Sequence, residues 1–105
     1  IPLANCVVML ATSPKSVTAL EAYERAAADI SQGLGKNIPD HLLDSHYAGA
    51  QTLGHGIGYK YPHAYENDYI PQQYLPDDLA GKTFYTPGEN KTERAADEYW
   101  QKIKK

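Results

Sequence analysis

Four histidines, one cysteine, a Gly-Lys-Thr triplet and a Tyr-Lys-Tyr run are the parts of this 105-residue sequence whose residue types could do chemistry. Imidazole nitrogens are common zinc ligands, so His41, His46, His55 and His63 raise a small metal-dependent hydrolase as one class. No two of them have the His-x3-His spacing that sets a pair on one helix face. Asp40, His41, Asp44 and His46 make a metal site only if the fold brings them together, and structural or surface roles are the default for all four histidines. Ala80-Gly81-Lys82-Thr83 has the ending of a phosphate-binding P-loop, in which backbone N–H groups cradle phosphates, lysine reaches them and threonine holds magnesium. The first glycine of that motif would fall at position 76, which is Pro76, and no apolar strand leads into it. Gly54-His55-Gly56-Ile57-Gly58 lacks the spacing of the dinucleotide fingerprint and reads as a tight turn. Cys6 sits in an apolar run, where burial opposes thiolate formation, and no Gly-x-Ser-x-Gly elbow occurs. The expectation is a chain with no catalytic, cofactor or metal site of its own.

Tyr59, Lys60, Tyr61 and His63 alternate aromatic and basic groups, a pattern that can stack bases while contacting phosphate. The same tyrosines, set among Pro62 and Gly58, equally suit locking a loop onto a core or onto another subunit. A net charge of −3 opposes a nucleic-acid clamp built on bulk electrostatics, which favours packing over single-strand binding. Hydrophobic residues at 42% and charged residues at 22% are ordinary for one globular domain, and a lone cysteine fits a reducing cytoplasm. No stretch approaches the roughly eighteen apolar residues of a membrane span, and no charged segment precedes an apolar one as in a secretory signal. The chain opens on Ile1 within an apolar segment, so the expectation is that much of a longer protein precedes it.

These residues must be positioned by a mainly α domain. Pro2 suits the first turn of a helix, and Leu3, Val7 and Leu10 fall on one stripe, predicting a buried helix; adjacent Val7 and Val8 also suit a strand. Ser13-Pro14 reads as the start of a second helix, with Val17, Leu20, Tyr23, Ala27, Ile30 and Leu34 as its apolar face and Gly33 and Gly35 as its end. A parallel track of small residues, Ala19, Ala22 and Ala26, would let another helix approach closely, which makes them candidate subunit contacts. A loop with one helical turn is expected over 37–44, and a third helix over about 45–53, capped by Asp44 and weakened by Gly49. From Gly54 to Pro87, glycines, prolines and tyrosines, Tyr74 among them, predict an ordered wrapping segment, with a helical turn at Pro76–Leu79 and an extended piece at Thr83–Thr86. A last helix follows from about Lys91, with Ala96, Trp100 and Ile103 on one side and a basic end. The sum is a single domain over 1–105 of about four helices with a long Tyr/Pro/Gly-rich wrap.

Taken in order, Ile1-Pro2-Leu3-Ala4-Asn5, Ser13-Pro14-Lys15-Ser16, Gly58 to His63, Gln73 to Pro76 and Gly81 to Pro87 resemble the C-terminal region of the RarA/MgsA family, which includes the eukaryotic Werner helicase-interacting protein. The sequence departs from that pattern between His41 and Gly54, where a more basic stretch is usual, and again after His63. The resemblance implies a clamp-loader-like AAA+ ATPase whose ATP and Mg²⁺ site lies in an upstream portion. It further implies a collar-like C-terminal region that holds subunits together as homo-oligomers, as tetramers, and action at stalled replication forks in replication, recombination and repair. The partners it implies are copies of the chain itself, DNA and single-strand-binding protein, in a cytoplasmic, nucleoid-associated setting without a membrane. The leading expectation for this chain is an assembly domain. A binding module for single-stranded DNA or a replication protein, centred on Tyr59, Lys60, Tyr61 and His63, stands second.

Overall fold

A proline at the first helical position loses no hydrogen bond that matters, and in the computed structural model, which describes residues 1–104, Pro2 opens helix α1 (Pro2–Thr12). At its end the hydroxyls turn back on the last carbonyls: Thr12 Oγ1 donates to the Val8 oxygen at 2.7 Å and Ser13 Oγ to that of Met9. Ser13 is extended, at φ −69° and ψ 150°, as the ring of Pro14 demands of the residue before it. Ser13-Pro14 therefore closes α1 instead of starting the next helix, which begins at Thr18.

Helix α2 (Thr18–Ser31) stops where expected. Gly33 takes φ +87°, its N–H reaches the Ile30 oxygen at 3.0 Å, and the Leu34 N–H reaches that of Asp29 at 3.1 Å. This paired closure needs a left-handed residue that glycine supplies without strain. Helix α3 (Lys91–Ile103) is capped by Asn90, whose side chain accepts from the Glu93 N–H at 2.9 Å while its amide donates to the Glu93 carboxylate.

The helix expected over about 45–53 is absent, so α1 to α3 are the α-helices among the described residues. Asp44 turns its carboxylate onto the His46 N–H at 3.0 Å, making a local turn in place of a helix cap. Gly49 and Gly54 then take φ +86° and +79°, outside the right-handed helical region, and the chain winds around Ala50, which is only 1% exposed. The remaining connections are 3₁₀ turns at Asp40–Leu42, Pro62–Ala64, Glu66–Asp68 and Asp77–Leu79. The first and last of these agree with the sequence reading. The Thr83–Thr86 piece runs beside α2 without sheet pairing, tied by Arg25, which donates to the Phe84 oxygen at 2.9 Å.

The long wrap is held by directional bonds. Gln72 accepts from the Lys60 N–H at 3.1 Å and donates to the Lys60 oxygen at 2.7 Å, standing in for a strand partner. Asp78 accepts the Gly35 N–H, and beside it Leu79 is 6% exposed. Ala50 and Leu79 are the buried apolar residues among those described.

That core is small for the chain. The radius of gyration is 17.6 Å, against about 13 Å for a compact domain of this length. The accessible surface is 8624 Å², against about 5,800 Å² for a folded monomer of the same mass. The difference is roughly 2,800 Å² per chain; two chains burying that much would share about 5,600 Å², at the upper end of obligate subunit interfaces.

Candidate functional site

Part of the exposed apolar surface lies on the first two helices. α1, expected to be buried, has no buried residue; its stripe of Leu3, Val7 and Leu10 is 82%, 65% and 78% exposed, and Cys6 is exposed with it. On α2 the large apolar residues Leu20, Tyr23 and Ile30 also face solvent. The covered side of α2 is the one that carries Thr18, Ala22, Ala26 and Asp29. Thr18 bonds to Glu93 and Asp29 receives Lys82 at 2.8 Å, so the small-residue side leans on the chain's own 82–93 stretch and the big-residue side is left open. Ala19 lies on the open side with Tyr23 and Ile30, at helical spacing from both.

Glu93 is the polar centre of the covered side. Its carboxylate accepts from the hydroxyls of Thr18 at 2.5 Å, Tyr85 at 2.6 Å and Ser16 at 2.9 Å, besides the Asn90 amide. These donors, Thr18 foremost and then Tyr85, hold its carboxyl down at about 2. The same bond pushes the Tyr85 phenol up, since its proton is held by the carboxylate. Gly88 packs close against this group: a Cβ on it would stand 2.7 Å from Glu93 Oε2 and 3.3 Å from Thr18 Cγ2, so the carboxylate would have to shift from its hydroxyl donors. One carboxylate thus joins the approach to α2, the end of the wrap and the start of α3. The Asn90-x-x-Glu93 spacing is itself a capping signal in the sequence, whereas the long-range partners carry none.

The aromatic and basic run is exposed, with Tyr61 60% accessible. Tyr61 meets His63 edge to face at 5.3 Å, and His63 Nδ1 is 3.1 Å from Asp68, so a carboxylate stands at the His63 end of the patch. Tyr59 and Lys60 flank it on the surface, and Tyr74, also exposed, accepts from Gln72 at 2.9 Å.

The histidines do not converge. His41 bonds to the Gln73 oxygen, His46 to Asp44, His55 to Tyr47 and His63 to Asp68. His46 also lowers the Asp44 carboxyl, by a hydrogen bond between two exposed side chains. No group of three or more His, Cys, Asp or Glu among the described residues is placed to hold a metal. Lys82, the lysine of the P-loop-like triplet, is spent on Asp29.

The tyrosines expected to anchor the wrap are mostly exposed, Tyr59, Tyr61, Tyr65, Tyr74 and Tyr85 among them, and side-chain hydrogen bonds hold it instead. Three helices, that wrap and two open apolar helix faces define a small, mainly helical module. Comparison of its sequence with known proteins agrees with the resemblance read from its motifs. The chain belongs to the MgsA AAA+ ATPase C-terminal family, whose profile matches residues 1–104. It is 50% identical to Replication-associated recombination protein A of Bacillus subtilis over 106 residues, covering all of this chain and 25% of that protein. It is 42% identical over 85 residues to an uncharacterized AAA domain-containing protein of Mycobacterium tuberculosis, and 30% identical over 86 residues to Replication-associated recombination protein A of Escherichia coli. In both cases 81% of this chain and 19% of the relative are covered. The chain spans a quarter or less of the length of these relatives. No helix among the described residues is long and apolar enough to cross a membrane.

Proposed function

We propose that this chain is the assembly module of a replication-associated AAA+ ATPase, holding copies of the protein together through the open faces of α1 and α2. The observation that carries the reading is the unpartnered apolar surface of α1, all of it exposed in a chain that has about 2,800 Å² more surface than its mass requires. Burying that stripe against a second copy supplies the hydrophobic term that two buried apolar residues cannot. Ala19 on the open side permits close helix approach, with Ala22 and Ala26 behind it setting how deeply α2 seats on its own wrap. ATP and Mg²⁺ belong to the remainder of the longer protein in this reading, as do DNA and single-strand-binding protein contacts, and the assembled species is a tetramer.

Light scattering after size-exclusion chromatography, over a wide range of concentrations and at two salt levels, tests it. A discrete tetramer or dimer that persists at high salt is the expected result, because an apolar interface is not screened. A monomer throughout, both for this chain and for a longer chain carrying the upstream portion, overturns it.

A second reading rests on the exposure of Tyr61 beside His63: single-stranded DNA stacking on Tyr59 and Tyr61 with Lys60 on phosphate. It requires salt-dependent affinity for oligothymidine that is lost in Tyr59→Ala with Tyr61→Ala. The Asp68 carboxylate beside His63 weighs against it.

A further inference from the structure

A separate recess lies away from the open faces of α1 and α2, between α3 and the 62–74 part of the wrap, with a volume of about 580 Å³. Trp100, the single tryptophan of the chain, stands in its wall with Tyr69 edge-on at 6.2 Å, and Tyr85 adds a further ring. Asp68 and Asp97 share the lining. Glu93 reaches the same recess, but its oxygens are already occupied by hydroxyl donors. Lys104, one turn beyond Trp100, places its Nζ 5.6 Å from the centre of the Trp100 ring.

We propose that this recess receives an arginine or lysine side chain from an extended segment of a partner protein. The cation lies against Trp100, with the carboxylates of Asp68 and Asp97 as counter-charge. Aromatic rings carry their negative potential on the face, and tryptophan is the strongest attractor of a cation among them. The carboxylates fix the sign of the visitor: a phosphate or an acidic peptide entering here meets repulsion. Asp97 has no ion-pair partner among the described residues, and Asp68 has only His63 at 3.1 Å. Lys104 demonstrates the fit, since an ammonium already reaches the ring from within the chain. It is a tethered competitor that an arriving guanidinium displaces, and arginine is favoured because its planar group stacks and is weakly hydrated. The inference needs no second copy of the chain and stands apart from the assembly reading.

The test uses Trp100 as its own reporter. The chain is titrated with the peptide acetyl-Gly-Arg-Gly-Arg-Gly-amide, and with citrulline and glutamate versions of it, following tryptophan emission and the indole N–H resonance. The arginine peptide is expected to saturate both signals, and the citrulline peptide, which keeps the shape without the charge, to bind at least about threefold more weakly. Asp97→Asn weakens the arginine peptide by about threefold. Lys104→Ala tightens it by a similar factor by removing the competitor. Both are exposed substitutions, Asp97 on α3 and Lys104 just past its end, and circular dichroism verifies that the helix is retained. Equal binding of the arginine and citrulline peptides, preference for the glutamate peptide, an unchanged affinity in Asp97→Asn, weaker binding in Lys104→Ala, or no saturable change at Trp100 each overturns the proposal.

Discussion

Replacing Leu3, Val7 and Leu10 together by alanine is the perturbation that bears most directly on the proposed assembly role. The three side chains are 82%, 65% and 78% exposed, so they contribute almost nothing to the fold of the isolated chain. Alanine is the best helix former, so α1 is retained or slightly strengthened. Trimming each leucine to alanine removes about 2 kcal/mol of potential burial, and trimming the valine about 1 kcal/mol, once scaled by present exposure. Together that is about 5 kcal/mol per chain, or between three and four decades in the association constant for each chain that buries the stripe, at about 1.4 kcal/mol per decade. Sedimentation equilibrium over a wide concentration range reads this directly: an assembly stable at micromolar chain should dissociate to monomer across the accessible range. Circular dichroism on the same samples should show unchanged helix content. If the triple variant keeps the mass and concentration dependence of the parent, α1 is not the seam, and the surplus apolar surface has some other purpose.

Three further outcomes follow from the packing. The Glu93 carboxyl releases its proton near pH 2 in the folded chain and near 4.5 when unfolded, so the unfolded state binds more protons between those values. Its stabilising contribution is complete above about pH 4.5 and is lost as pH falls through about 2; acid unfolding followed by circular dichroism should steepen across that window, and Glu93→Gln should flatten it. Leu79→Ala removes one of the two buried apolar side chains and should lower unfolding stability by about 2–5 kcal/mol in urea titrations, a large share for a chain with so small a core. The midpoint of thermal unfolding should rise with chain concentration if assembly and folding are linked, and a midpoint independent of concentration would separate them.

What could be read in advance was whatever local chemistry dictates. Pro2 opening α1, Gly33 ending α2, the turn at Asp77–Leu79 and α3 from Lys91 all follow from residues acting on their immediate neighbours. The errors arose where one local signal outweighed another. Ser13-Pro14 has the composition of a helix start, but the preceding turn captured the serine hydroxyl first. The stretch after Asp44 has apolar residues at tolerable spacing, yet Gly49 and Gly54 were free to adopt positive φ and did. Periodicity placed Leu20, Tyr23 and Ile30 on one face of α2 correctly, but it does not state what that face meets. Glu93 was out of reach for a different reason: two of its partners, Ser16 and Thr18, lie 77 and 75 residues away along the chain.

The division of labour on α2 explains why the fold is so open. Its inner side meets the 82–93 stretch through Thr18, Arg25 and Asp29, each committed to a hydrogen bond or ion pair. Such contacts are directional and fix position, but each contributes only about 0.5–1.5 kcal/mol net, because water offers the same groups a nearly equivalent partner. They can set the geometry of 105 residues without supplying the apolar burial that offsets the entropy of ordering them. The apolar side chains able to supply it, those of α1 and the outer side of α2, all point outward. A chain built this way specifies its own shape with polar bonds and leaves its hydrophobic surface open, and under the proposed assembly role the contacts that complete the module's apolar burial are the ones that join the copies.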